Sequence, residues 1–243
     1  MDKLNNPASR LHALLTHLVR IPPNNPARTS FASALEVNTN DTPHLLVRLG
    51  EMAKLAVRAE EQVRATPRLD PNRYLSWKPE VWAALGAISL VGDLSSFLKP
   101  LQVNGFQPLE RLQYCADGLS RERGEKELGE EELKEIQKEI NDLEIAIRQS
   151  EIDGELKLCL MEQLRLMTDA MRQYHLFGPE PLQRAVNETL GSLMLNPEAR
   201  QRMSKTPLGE RFWKVVGRLA NLSSFIGNGI RIVETIKKLL PPL

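Results

Sequence analysis

Apolar residues in this chain recur every three or four positions over almost its whole length. That period suits α-helices, whereas a half-buried strand needs strict alternation, and no convincing alternating run is present. Proline and short polar side chains supply the punctuation. Leu11, Leu14, Leu15 and Leu18 give a first helix over 8–21, closed by Ile21-Pro22-Pro23-Asn24-Asn25-Pro26. A second lies around 30–37. Asp41 or Thr42 is a good N-cap for a longer helix with Pro43 in its first turn, striped by Leu45, Leu49, Met52, Leu55, Ala59 and Val63 as far as residue 65.

Residues 71–108 are the least regular part. Gly86, Gly92, Pro100, Gly105 and Pro108 cut them into short pieces, with one helix opening near Pro79. Trp77 and Trp82 mark this region as the aromatic core of an N-terminal half. A further helix starts at Pro108 and carries Leu109, Leu112, Cys115, Ala116 and Leu119. The glycine-bearing, densely charged stretch 121–129 is the best candidate for a domain boundary.

Beyond it the pattern is cleaner. Leu133, Ile136, Ile140, Leu143 and Ile147 stand in heptad-like order on a helix over 130–150, with Glu/Lys pairs outside. A turn near Asp153-Gly154 leads to a helix striped by Leu156, Leu160, Leu164, Met167, Met171 and Tyr174, which Gly178-Pro179 ends. Another covers 181–195. The last is a long docking helix over 208–240, with Phe212, Val215, Leu219, Leu222, Phe225, Ile226, Ile230, Val233, Ile236 and Leu240 on one stripe. Pro241 and Pro242 stop it. The expected fold is all-α: an irregular, short-helix N-terminal half over 1–120, then an antiparallel helical bundle over 130–243. The halves are either two domains or one continuous one.

Lys and Arg total 32 against 31 Asp and Glu, a balance that argues against a generic nucleic-acid binder. The even total hides a polarity. Residues 119–155 hold 13 acids and six bases, about −7, whereas 198–243 hold nine bases and three acids, about +6. The two segments can attract each other within a protomer or between protomers. Cys115 and Cys159 both fall at the apolar phase of helices and read as free thiols in a reducing cytosol. The N-terminal residues lack the apolar core of a signal peptide, and no run reaches the roughly eighteen apolar residues of a membrane span. A cytoplasmic protein, at most peripheral to a membrane, is the expectation.

No chemistry-bearing motif emerges. His12 and His17 are five residues apart, unlike the i, i+4 pair of a zinc helix, and His44 and His175 have no Cys/His neighbours in sequence. Glu132, Glu135 and Glu139 share a helix face but lack the Glu-x-x-His step of a carboxylate metal centre. They read as a solvated acidic face. Phosphate loops, nucleophile elbows and dinucleotide fingerprints are missing from the sequence. The expectation is therefore no catalytic residue, no metal and no cofactor.

The run Cys115-Ala116-Asp117-Gly118-Leu119-Ser120, and the later run from Tyr174-His175-Leu176-Phe177-Gly178-Pro179 to Asn187-Glu188-Thr189-Leu190-Gly191, resemble a scattered group of uncharacterised all-helical bacterial proteins of similar length. The resemblance spans about 109–195. It implies a bacterial origin and a setting among accessory or defence genes, and it carries no catalytic residues.

The functional expectation is a non-enzymatic interaction protein: a regulator, an immunity-type inhibitor or an assembly subunit. Its docking residues are Phe212, Trp213, Val216, Leu219, Leu222, Phe225, Ile226, Ile230, Val233 and Ile236, flanked by Lys214, Arg218 and Arg231. The partner is another protein or a second copy. The alternative is a membrane-active effector that releases this helix onto anionic lipid, with Trp213 beside Arg211 and Lys214 as an interfacial anchor. Nucleic acid is the least favoured partner, for want of a recognition motif.

Overall fold

Short polar side chains and prolines set the helix starts. In the computed structural model, which describes residues 5–125, 129–203 and 206–223, every regular element is helical; the one strand-type pairing among them is an isolated bridge between Pro26 and Asp93. Helix α1 (Pro7–Val19) begins with a reciprocal cap. The Asn6 side chain accepts from the Ser9 amide at 2.9 Å, and the Ser9 hydroxyl accepts from the Asn6 amide at 3.3 Å. After α2 (Ala27–Ala34), α3 (Thr42–Arg64) opens on Asp41, whose carboxylate accepts from the His44 amide at 3.2 Å.

The irregular region resolves into α4 (Pro71–Tyr74), α5 (Lys78–Gly86), α6 (Ser95–Leu98) and a 3-10 turn over Lys99–Gln102, before α7 (Gln107–Arg123). Trp77 is fully buried there, but Trp82 is only half-buried. The aromatic core expected of both tryptophans is instead shared by Trp77, Phe31 and Phe97, the last two meeting edge to face with ring centroids 5.1 Å apart.

The chain divides into two compact units, Met1–Glu125 and Lys126–Leu243. The division falls inside the charged stretch 121–129, although α7 continues through Arg123, so 121–123 is helix rather than linker. In the first unit α1 packs against α3 and α7 through Leu11, Leu14, Leu15 and Leu18. A buried polar clasp joins the start of α1 to the end of α7. The Asn6 amide group donates to the Ala116 carbonyl at 3.0 Å and to the Ser120 hydroxyl at 2.9 Å, while the Glu125 amide donates to the Asn5 carbonyl at 2.7 Å. Arg10 and Glu125 form an ion pair whose side chains are 5% and 10% exposed.

The second unit contains α8 (Glu130–Gln149), α9 (Gly154–Phe177), α10 (Glu180–Leu195), α11 (Pro197–Met203) and α12 (Pro207–Ser223). Neighbours in the bundle run α8 to α9, α9 to α10, α10 to α12 and α12 back to α8, so α12 closes a four-helix ring. Asp153 caps α9 by accepting from the Leu156 amide at 3.3 Å. Gly178, at φ +76°, ends α9 in a conformation that side-chain-bearing residues rarely adopt.

The clasp yields a test. Removing one partner of a buried ion pair leaves the other charge uncompensated, at a cost of about 3 kcal/mol or more, whereas replacing both is far milder. Arg10→Met should lower the urea midpoint of the first unit sharply, and adding Glu125→Leu should recover most of the loss. An unchanged midpoint in Arg10→Met would show that the ion pair contributes nothing.

Candidate functional site

The expected docking residues begin on α12, and its first turn explains how that helix is seated. The Thr206 hydroxyl accepts from the Gly209 amide at 3.1 Å, and a side chain at Gly209 would drive its Cβ into the Met203 carbonyl. Glycine therefore lets α12 start tight against the end of α11. From there one face turns inward. Phe212, Val216, Leu219 and Ala220 are fully buried, and Trp213, Val215 and Leu222 nearly so. They share one core with Ile136, Ile140, Leu143, Leu160 and Leu164. Trp213 lies edge to face with Phe212, ring centroids 6.1 Å apart.

The spacing of the stripe leaves open whether it lies on its own unit, a partner or a membrane, and for the part carried by α12 the surface is its own bundle. Phe212, Trp213, Val216, Leu219 and Leu222 are core residues of their own unit, because seating them between α8 and α10 removes their apolar surface from water. Trp213, read from sequence as an interfacial anchor beside the basic face, is 3% exposed. Phe225, Ile226, Ile230, Val233, Ile236 and Arg231 lie outside the described residues.

The basic face of α12 meets the acidic face of α8. Lys214 pairs with Glu139 at 3.8 Å, and Arg218 with Glu139 at 2.8 Å and Glu135 at 3.3 Å. One turn forward on α12 matches one turn back on α8, so the two helices run antiparallel. The opposite charges seen in sequence are thus joined within one unit. Glu132 stays exposed, and Arg211, Lys214, Glu139 and Asp142 rim a small cleft of about 110 Å³ along the same seam.

The other sequence candidates are scattered. His44 pairs with Asp41 at 2.7 Å on the surface, the His12 ring lies 3.4 Å from the Thr16 hydroxyl, and His17 and His175 are exposed. No cluster of three His, Cys, Asp or Glu side chains suited to a metal ion occurs among the described residues. Both cysteines are free, Cys115 buried and Cys159 half-buried. Burial pushes the Cys115 thiol up to about 12, with the Trp77 indole a smaller opposing influence. Burial also raises Cys159, against a hydrogen bond from Ser192. Neither thiol is set up as a nucleophile.

No helix among the described residues is long and apolar enough to cross a membrane. No family model, curated protein or solved structure matches the chain.

Sequence periodicity missed the polar side chains that the second unit encloses, Gln163 and Thr189, because a polar residue at an apolar phase gives no signal of its own. It also missed the Arg10–Glu125 pair, whose partners lie more than a hundred residues apart.

Two outcomes follow from this geometry. Leu219→Ala should cost about 3 kcal/mol in unfolding free energy, as large-to-small changes at fully buried sites do. Arg218→Ala, at a partly exposed pair, should cost under about 1 kcal/mol, and the cost should fade in high salt. Comparable losses for the two variants would mean that the ionic seam seats α12 as strongly as the apolar row does. In native protein near pH 8, iodoacetamide should label Cys159 slowly and Cys115 more slowly still, since only the thiolate reacts; rapid labelling of Cys115 would contradict its burial.

Proposed function

We propose that this protein is a non-enzymatic helical interaction protein, a regulator, inhibitor or assembly subunit, that binds a protein partner or a second copy through the C-terminal part of a long amphipathic helix spanning 208–240. The observation that carries the reading is the division of the stripe. Its first part, through Leu222, is anchored in the bundle core, and Lys214 and Arg218 are engaged by Glu135 and Glu139. The sequence then continues with the same apolar period through Phe225, Ile226, Ile230, Val233 and Ile236, accompanied by Arg231, Lys237 and Lys238. A stripe of that kind needs a surface to lie on. An anchored α12 offers it from a rigid base, which lowers the ordering cost of binding.

Deletion of 224–243 tests this. The shortened chain should keep its helical circular dichroism and its thermal midpoint to within a few degrees, while sedimentation mass or the complex with its partner is lost. An unchanged mass and partner set would refute the reading. A tail that instead confers flotation with phosphatidylserine vesicles, weakening with salt, would move the assignment to an anionic membrane surface.

A further inference from the structure

Between the 3-10 turn at Lys99–Gln102 and α7 the chain bends sharply over residues 103–106. Successive residues there hold left-handed backbone: Asn104 at φ +50°, Gly105 at +70° and Phe106 at +70°. The bend is pinned at its flanks. Leu101, Pro108 and Leu109 are buried, and the Gln107 amide donates to the Val103 carbonyl at 3.2 Å across it. Its centre is open. Asn104 and Gly105 are exposed, and a Cβ at Gly105 would meet nothing within 4 Å. The Gly105 amide has no hydrogen-bond partner among the described residues. The Asn104 side chain is held there by one long bond, from its Nδ2 to Gln107 Oε1 at 3.4 Å.

An asparagine followed by glycine carries both halves of a ring-closing reaction. The side-chain carbonyl carbon is the electrophile, and the next backbone nitrogen is the nucleophile. A glycine nitrogen has no neighbouring Cβ to hinder its approach, and asparagine is among the thermally labile residues for this reason. Every other described asparagine precedes a residue that bears a side chain. Asn6 shows the opposite environment: fully buried, with its amide group tied to the Ala116 carbonyl and the Ser120 hydroxyl. At Asn104 neither packing nor a network of that kind fixes the two reacting groups. The second Asn-Gly dipeptide, Asn228-Gly229, lies outside the described residues.

We propose that Asn104-Gly105 is a self-modifying site, at which the folded protein deamidates with water as the co-reactant. The Gly105 nitrogen gives up its proton to solvent base and attacks Asn104 Cγ. A carbon–nitrogen bond forms, the side-chain nitrogen leaves as ammonia, and a cyclic imide remains. Water then opens the imide at one of its two carbonyls. Opening at one gives aspartate; opening at the other gives isoaspartate, in which the main chain runs through the former side chain. No electrons are transferred. Either product places a carboxylate just ahead of α7, where Phe106 provides no side-chain cap and an anion is favoured by the helix dipole. The product also loses the donor that Asn104 offers to Gln107.

Peptide mapping by mass spectrometry tests it on the full-length protein, held folded at mildly alkaline pH in water enriched in heavy oxygen. The peptide containing residue 104 should accumulate products in which NH2 is replaced by heavy-labelled OH. They should separate into two chromatographic forms, with isoaspartate in excess. The rate should lie within a few-fold of that in the urea-unfolded chain. Asn104→Gln, whose ring would be larger and slower to close, should give no product at this position, and Gly105→Ala should slow the reaction several-fold. A folded protein that stays unmodified at Asn104 while the urea-unfolded chain reacts overturns the proposal, since the fold would then protect the site. Formation of aspartate without isoaspartate also overturns it, because direct hydrolysis would then replace the cyclic route.

Discussion

The second unit depends on the burial of α12 between α8 and α10. Without that helix the ring is open, and the apolar faces of Ile136, Ile140, Leu143, Leu160 and Leu164 lose the side that Phe212, Val216 and Leu219 supply. Each such side chain gains roughly 1.5–3 kcal/mol from leaving water. The partly exposed Lys214 and Arg218 pairs contribute far less, and their part is to set direction and register rather than strength. Strength from the apolar row and orientation from the ionic seam are separate contributions made by different faces of one helix.

The first unit solves the same problem differently. Its long helices α3 and α7 pack on the leucine face of α1, and its irregular middle is built of short ones. A polar clasp adds to that joining, with Asn6 serving two purposes at once: its side chain caps α1 and holds the Ala116 carbonyl and Ser120 hydroxyl of α7. Such a network is stabilising only when complete, since each partner it leaves unpaired is stranded in a medium of low polarity.

Much of this was legible in the residues. The period of three or four placed the long helices from α1 to α10 to within a few positions, and Asp41, one of two cap candidates beside Thr42, opens α3 because a short carboxylate can meet a free amide there, whereas the turn read at Asp153-Gly154 also holds the cap of α9. The charge polarity between 119–155 and the C-terminal segment foretold a pairing, and Arg218 with Glu135 and Glu139 realises it. What periodicity could not supply was the destination of a stripe. Phe212 and Leu219 have the same spacing whether they face their own bundle or a partner, and only the packing of α12 between α8 and α10 distinguishes the two. Trp213 was misplaced for a related reason. Its neighbours Arg211 and Lys214 suggested a surface, but one residue is 100° of helix, enough to carry a side chain from a solvated face to a buried one.

The clasp at Asn5 and Glu125 also bears on how the first unit relates to the rest of a chain. Its opening backbone carbonyl and its closing amide lie 2.7 Å apart in a hydrogen bond. Residues 5 and 125, the first and last described residues of the unit, therefore meet in space, and a segment closed in this way needs only a short connection between those two points. It has the geometry of a cassette: a segment that another sequence could host in a surface loop, or that could be rejoined end to end and reopened elsewhere, with its packing intact.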